Sequence, residues 1–327
     1  MKKNLALLMG GTSSERSISH ITAQYIAKNI DQTKYNLYII DISNNGWFYL
    51  SPDSDVRVAV DKNDFTIELN NQTIFFDVVY IAIHGAPAEN GLLQGYLSMP
   101  NIPYVACNTE TSAITFNKYF CKRIIQNLPE KLALDTLIDN KHGYNFKDIV
   151  SKHSLPLIVK PNSSGSSIGA SKVDNYSDLN KAIEDALKED YHVIIEDFIA
   201  GREFSVSVFS DKNEIIVLPV TEIVNGGNFF DFDSKYDSTI DNEITPAKID
   251  NQLVNKIQDI VKSIYKTLNC DGVVRIDFII KDNDFYFMEL NSIPGQTPNS
   301  ILLKQLNEAK YNLSEFYSKL IENTLSK

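Results

Sequence analysis

The chain has 327 residues and a formal net charge of −11, from 42 acidic against 31 basic side chains, with no lysine–arginine stripe. That length allows two or three domains with cores of their own, and the acidic balance makes nucleic acid and anionic membranes poor partners. Cys107, Cys121 and Cys270 are odd in number, widely spaced and set among apolar neighbours, so they read as core thiols of a reducing compartment rather than a disulfide framework or a zinc site. The apolar run at 5–9 is too short for a signal peptide and no later stretch is long enough to span a bilayer, so a cytoplasmic protein is expected.

The first third alternates between β and α patterns. Residues 5–9 read as a buried strand, and Ile18, Ile21, Tyr25, Ile26 and Ile30 give the following helix an apolar side. A second strand is predicted at 35–41 and a later one at 78–84, ending in a His84-Gly85 turn. Strands feeding turns and helices predict an open parallel sheet with sites at the strand C-terminal ends. Gly10-Gly11 lacks the Gly-x-Gly-x-x-Gly spacing, which disfavours a dinucleotide-binding oxidoreductase. The middle of the chain predicts helices at 117–127 and 177–188 and a strand at 192–198. The last part predicts strands at 204–209 and 215–220, a polar loop at 225–242, a long helix at 250–268 and a terminal amphipathic helix at 313–325. Internal repeats and low-complexity tracts are absent from the sequence.

Two clusters carry chemistry. Residues 157–160 form a short apolar run ending in Lys160, followed by a Ser/Gly-rich loop at 161–169 and a second short strand at 170–173. Glycine and serine let backbone N–H groups approach phosphate oxygens, and the lysine adds a point charge beside them. The loop joins two strands, so it is a flap and not the P-loop, which needs Gly-Lys-Ser/Thr entering a helix. The plainer alternative is a flexible linker. The second cluster is Arg275-Ile276-Asp277, in a strand at 272–280, and Glu289-Leu290-Asn291, in a strand at 284–291, with a turn composition at 281–284. Alternation puts Arg275 with Asp277 on one face, and likewise Glu289 with Asn291. Pairing the strands gathers oxygen ligands and a guanidinium on one surface, which suits Mg²⁺ beside phosphates. The plainer alternative is a solvated polar face. A turn-rich segment at 292–300 follows at once, as function-bearing loops do.

In chain order, Lys160 with its flap, the run Ile194-Ile195-Glu196-Asp197-Phe198-Ile199, Arg275 with Asp277, and Glu289 with Asn291 resemble the ATP-grasp enzymes. Further stretches narrow this: 9–16 (Met-Gly-Gly-Thr-Ser-Ser-Glu-Arg), Ile83-His84-Gly85, 89–95, Phe116-Asn117-Lys118, Gly201-Arg202-Glu203-Phe204, 230–236 and 243–247. With them the chain resembles D-alanine–D-alanine ligases from about residue 5 to residue 301.

The resemblance implies a mixed α/β ATP-grasp fold: an N-terminal open parallel-sheet domain at 1–116, a small lobe with the flap at 117–203, and a C-terminal lobe at 204–327, the last two sandwiching ATP. It implies ATP-dependent joining of two D-alanines through an acyl phosphate, for peptidoglycan precursor synthesis. Asp277 and Glu289 would hold one Mg²⁺, and Glu289 and Asn291 a second, with Mn²⁺ as an alternative. Lys118, Lys160, Lys235 and the flap's Ser166 and Ser167 would meet the phosphates. Glu196 would accept from the adenine amino group, the backbone at Phe198 and Ile199 would flank the base, and Glu203 would bind the ribose. Asp197 stands where many relatives carry lysine, which leaves one adenine contact open. Arg275 and the Gly295 N–H would cradle the oxyanion; glycine suits such a close backbone approach. Glu15 would bind the ammonium of the first D-alanine and His84 its carboxylate, while Ser300, with the backbone at Ile301, would hold the carboxylate of the second. Tyr236, in the 225–242 loop, would link Ser166 to Glu15 and close two lids on each other. A homodimer is expected. The alternatives are a D-serine or D-lactate second substrate, the latter disfavoured by Tyr236, and a catalytically silent ATP-binding regulator, disfavoured by the intact metal ligands and Arg275.

Overall fold

The computed structural model describes residues 2–52, 56–128, 130–165, 168–212, 214–224 and 242–327. Among these, the strands form three sheets. β1 (Lys3–Gly10), β2 (Tyr35–Ser43), β3 (Gly46–Leu50), β4 (Arg57–Asp61), β5 (Thr66–Leu69), β6 (Gln72–Ile74), β7 (Val78–Ile81) and β8 (Tyr104–Val105) make the first, in the order β6-β5-β4-β3-β2-β1-β7-β8. The half from β2 to β8 is parallel, as its unbroken apolar runs require, because such strands are covered on both faces. Leu5, Leu7 and Met9 pack with Ala23 and Ile26 of α1 (Arg16–Asn29). Ala6 and Leu8 point the other way, into a core shared with Leu93 and Leu97 of α2 (Leu92–Ser98). The antiparallel meander from β3 to β6 is an addition that the strand pattern of the sequence does not predict.

The apolar side expected of α1 is only partly its buried side. Ser19, Thr22, Ala23 and Ile26 are buried, whereas Ile21 is exposed. The helix leans on the strand ends through small polar side chains: Ser19 Oγ donates to the Ala82 carbonyl at 2.7 Å and accepts from the Gly10 N–H at 3.1 Å.

After α3 (Thr109–Phe116) and α4 (Lys118–Ile125), β9 (Lys131–Leu132) joins the edge of the third sheet. The second sheet is antiparallel, built from β10 (Asp135–Asp139), β11 (Leu157–Pro161), β12 (Ser171–Val173) and β13 (His192–Asp197) in the order β10-β13-β11-β12. α5 (Phe146–Lys152) and α6 (Leu179–Ala186) cover one of its faces, where Leu157, Val159, Val193 and Ile195 meet Leu179 and Ile183. The third sheet contains β14 (Arg202–Asp211), β15 (Glu214–Val217), β16 (Thr221–Ile223), β17 (Glu243–Ile244), β18 (Val273–Lys281) and β19 (Asp284–Asn291). α7 (Asn251–Thr267) covers its inner face, with Ile257, Val261 and Ile264 against Phe204, Val206, Ile276 and Phe278. α8 (Ile301–Glu308) and α9 (Leu313–Leu325) close the chain over the first core. Among the described residues no helix is long and apolar enough to cross a membrane.

Candidate active site

The hairpin of β18 and β19 is not regular. Phe278 pairs with Phe287, but Asp277 pairs with Glu289, so Met288 is an extra residue on β19. This bulge decides the chemistry of the surface. Phe285 and Phe287 face the core with Phe278, and strict alternation would send Glu289 after them. The bulge resets the phase, as bulges do when they re-aim side chains. Leu290 therefore takes the core position, and Glu289 and Asn291 join Arg275 and Asp277 on the opposite face.

Asp277 is the hub of that face. Arg275 Nε donates to its Oδ1 at 2.9 Å and Nη2 to its Oδ2 at 2.8 Å. Asn291 Nδ2 donates to Oδ2 at 3.0 Å, and Ser205 Oγ, on neighbouring β14, donates to Oδ1 at 2.6 Å. Burial works against the Arg275 charge, but Asp277 outweighs it and, with Glu289 and Glu243 adding to the pull, holds the guanidinium above its usual range. β14 also carries Glu203 on this face, two residues from Ser205 and opposite Ile279. Two carboxylates and an amide converge here, with cations already drawn to them. Lys118 Nζ stands 3.4 Å from Glu289 Oε2. The donors, two carboxylates and an amide, are hard oxygens, which fit a small divalent cation; among the described residues no group of three or more His, Cys, Asp or Glu side chains is gathered to hold a metal, here or elsewhere.

The second sheet faces this surface with its uncovered side. Because Leu157, Val159 and Ile195 are committed to the core, Lys160 and Glu196 share the opposite face by alternation. Lys160 Nζ lies 2.7 Å from Glu196 Oε2, and Lys122 of α4 contacts Oε1. Asp197 has the other parity. It points away and meets the buried His153, Nδ1 to Oδ1 at 2.7 Å, while His153 Nε2 lies 2.7 Å from Thr136 Oγ1. The Asp197 side chain thus braces α5. The N–H groups of Asp197 and Phe198 donate to Leu134 and Pro156 carbonyls, fixing the run that leads to Ile199. Asn117 caps α4 by accepting from the Phe120 N–H at 3.0 Å, which sets Lys118 at the first turn; its Nζ donates to the Ser164 carbonyl at 2.6 Å. Lys118, Ser164, Gly165, Glu289, Asn291 and Ser292 line one cleft, so the flap and the acidic hairpin border the same space.

A third group comes from the first sheet. At Gly10 the backbone is left-handed (φ +93°), and a Cβ there would lie 2.4 Å from Arg16 and Asp41 atoms. Only glycine lets Arg16 close in, where it donates to both Asp41 oxygens at 2.7 Å and to the Ile42 carbonyl at 2.6 Å. The loop so clamped presents Glu15 beside Gly85 and the flap residue Gly165. His84 is buried with both ring nitrogens engaged: Nδ1 donates to the Ile293 carbonyl at 3.2 Å and Nε2 accepts from Thr22 Oγ1 at 2.9 Å, since a carbonyl can only accept. A substrate carboxylate reaches His84 only by displacing one of these. Ile293 leads into the loop that holds Gly295, where an added Cβ would meet only the Ser300 Cβ, at an ordinary contact distance of 3.9 Å. Ser300 is the N-cap of α8, and its buried Oγ has no partner among the described residues. A hydroxyl and the first N–H groups of a helix, Ile301 included, are donors of the kind that a carboxylate can accept from. Ser166, Ser167, Lys235 and Tyr236 lie outside the described residues.

Comparison with known proteins decides the family. A model of the D-ala D-ala ligase N-terminus matches residues 4–107, and one of the D-ala D-ala ligase C-terminus matches residues 132–322. The D-alanine--D-alanine ligase of Flavobacterium johnsoniae is 41% identical over 324 residues, covering 99% of this chain and 100% of that protein. The chain belongs to the D-alanine–D-alanine ligase family. Solved structures agree. The VanG D-Ala:D-Ser ligase from Enterococcus faecalis superposes with a TM-score of 0.87 at 28% identity, covering 99% of this chain and 100% of that one. The D-alanine--D-alanine ligase from Bacillus anthracis complexed with ATP superposes with a TM-score of 0.78 at 27% identity, covering 99% and 98%. The fold is the mixed α/β ATP-grasp fold, and the chain is an ATP-dependent ligase.

Three residues of this ligase escape a reading of the sequence. Ser205 is hidden in the run of β14, although a serine alternating with Phe204 and Val206 marks the site face. Gln305, fully buried, donates to the Ser205 carbonyl and to Thr221 Oγ1, each at 3.0 Å, and carries no local signal. Lys122 lies one helical turn after Lys118, and that spacing is the clue to it.

Proposed function

We propose that this chain joins two D-alanine molecules at the cost of ATP, forming D-alanyl-D-alanine, ADP and phosphate for peptidoglycan precursor synthesis. The observation that carries the reading is the bulged hairpin: it sets Arg275, Asp277, Glu289 and Asn291 on one face, with Lys118 reaching Glu289 at 3.4 Å from the flap side. In the reaction the first carboxylate takes the γ-phosphoryl group, and the amine of the second D-alanine displaces phosphate through a tetrahedral intermediate. The protein contributes positioning and charge neutralisation.

Lys118 and Lys160 meet the phosphates, joined by Lys235 and the flap's Ser166 and Ser167. Glu196 accepts from the adenine amino group, the backbone around Phe198 and Ile199 flanks the base, and Glu203 takes the ribose. Asp277, Glu289 and Asn291 hold two Mg²⁺ ions, whose charge offsets that of the β- and γ-phosphates. Glu15 binds the first ammonium, and His84 the first carboxylate. Ser300 and the Ile301 N–H anchor the second carboxylate at the α8 N-terminus, where its charge is favourable. Arg275 and the Gly295 N–H face the developing oxyanion. The family resemblance gives Tyr236 a link to Ser166 and Glu15. A homodimer and a cytoplasmic location go with the family resemblance.

The test is incubation with ATP, Mg²⁺ and D-alanine, measuring phosphate and dipeptide together, with L-alanine, D-serine and D-lactate alongside. Stoichiometric phosphate and D-alanyl-D-alanine are expected. Phosphate release without dipeptide, or a preference for D-serine or D-lactate, refutes the assignment.

A further inference from the structure

Glu196 has two ammonium partners, and they are unlike. Lys160 sits at the mouth of the flap, at the end of a strand, and holds Oε2 at 2.7 Å. Lys122 approaches Oε1 from the middle of α4, and its side chain is 1% exposed. On the proposed reading Lys160 serves the nucleotide's phosphates, whose charge would compete with Glu196 for its ammonium. Lys122 is walled in and stays. Without it, a carboxylate only 6% exposed would lose its remaining counter-charge. A buried lone carboxylate takes up a proton, and that proton occupies an oxygen needed as an acceptor. Burial lowers the Lys122 pKa to about 8, against the pull of Asp135 and with the help of Arg123 on the same helix, so the ammonium depends on its acidic neighbours as they depend on it.

We propose that Lys122 is a positioning residue for adenine recognition: it keeps Glu196 ionised and turned so that the oxygen vacated by Lys160 accepts from the adenine amino group. The proposal rests on the reading of Glu196 as the adenine acceptor. It touches neither phosphate nor amino acid, and acts only through Glu196.

The test compares ATP with purine riboside triphosphate, which lacks the 6-amino group, as co-substrates for wild type, K122M, E196Q and the double variant. In K122M, KM for ATP should rise on the order of tenfold with kcat changed far less, and KM for the deaminated nucleotide should barely move. E196Q should show the same loss of preference, and the double variant should be no worse than E196Q. If E196Q leaves the preference intact, the adenine reading of Glu196 fails. If E196Q abolishes the preference but K122M weakens both nucleotides alike or lowers only kcat, that reading stands and the role of Lys122 is overturned. Should K122M not fold, K122R and K122Q carry the comparison: preference kept by the charged variant and lost by the neutral one supports the proposal, and the same outcome in both overturns it.

Discussion

Gly165→Ala isolates the contact between the flap and Glu15. A Cβ on Gly165 would lie 2.5 Å from one Glu15 carboxylate oxygen, 2.9 Å from the other and 3.0 Å from the carboxyl carbon. The backbone there is not left-handed, so alanine is conformationally admissible. The obstacle is the end of a flexible side chain, and the cheapest relief moves the Glu15 carboxylate. Restricting the unfolded chain contributes about 0.4–1 kcal/mol in favour of alanine, which offsets much of the displacement. The variant should therefore melt within a few degrees of the parent. Function should respond differently. A hydrogen bond to a charged group contributes roughly 1.5–3 kcal/mol, and losing it from the first D-alanine ammonium corresponds to roughly ten- to a hundredfold in affinity. Initial rates of phosphate release across a wide range of D-alanine, at saturating ATP, separate the two amino-acid sites. The first-site KM should rise by that factor, with KM for ATP nearly unchanged. An unchanged first-site KM in a normally folded variant would mean that Glu15 does not bind the ammonium.

Three other perturbations probe different parts of the structure. Glu289→Gln removes a charge shared by both proposed metal positions and facing Lys118; turnover should fall by roughly two orders of magnitude or more, and near-parental activity at modest Mg²⁺ would displace the metal site from this hairpin. Ser205→Ala deletes a buried donor to Asp277 2.6 Å away; the Mg²⁺ concentration for half-maximal rate should shift by about tenfold, and a shift in stability alone would make Ser205 a packing residue. Glu130 is buried with both carboxylate oxygens unpartnered among the described residues, and burial pushes its pKa up to about 7 from 4.5. The folded state therefore keeps a proton that the unfolded state gives up, so stability is lost as pH rises from about 4.5 to about 7. Glu130→Gln should be more stable than the parent at pH 8 by about 1–3 kcal/mol and nearly equal to it at pH 4.5; urea unfolding with the same difference at both pH values would refute this.

The parts of the fold legible in the sequence are those where one physical rule acts alone. The terminal helix at 313–325 has a clean 3.6-residue pattern and an Asn312 cap that accepts from the Glu315 N–H at 3.1 Å, and it begins and ends where that pattern does. The runs that become β1, β11 and β18 are buried strands whatever surrounds them. What escapes depends on contacts distant in sequence. Ile21 looks like a core residue on its own helix, yet Ser19 and Thr22 are buried instead, because Ala82 and His84, more than 60 positions away, offer them partners. The β3–β6 meander is short and mostly half-exposed, so its alternation is weak.

The site divides in the same way. Alternation correctly pairs Arg275 with Asp277 and Glu289 with Asn291, but it is silent on whether the two pairs share a face, because that depends on register. The register is written in the sequence all the same. Phe285 and Phe287 are two apart, and the next core residue, Leu290, is three further on. A strand whose apolar spacing slips from two to three must either bury a charge or carry a bulge. Burying Glu289 beside Phe278 without a partner would cost several kcal/mol, on the order of the penalty for an unpaired buried charge. A bulge costs one unpaired residue, Met288, and delivers both carboxylates to the same surface. The acidic face is therefore a consequence of where the phenylalanines stop alternating, and the charged residues themselves do not reveal it.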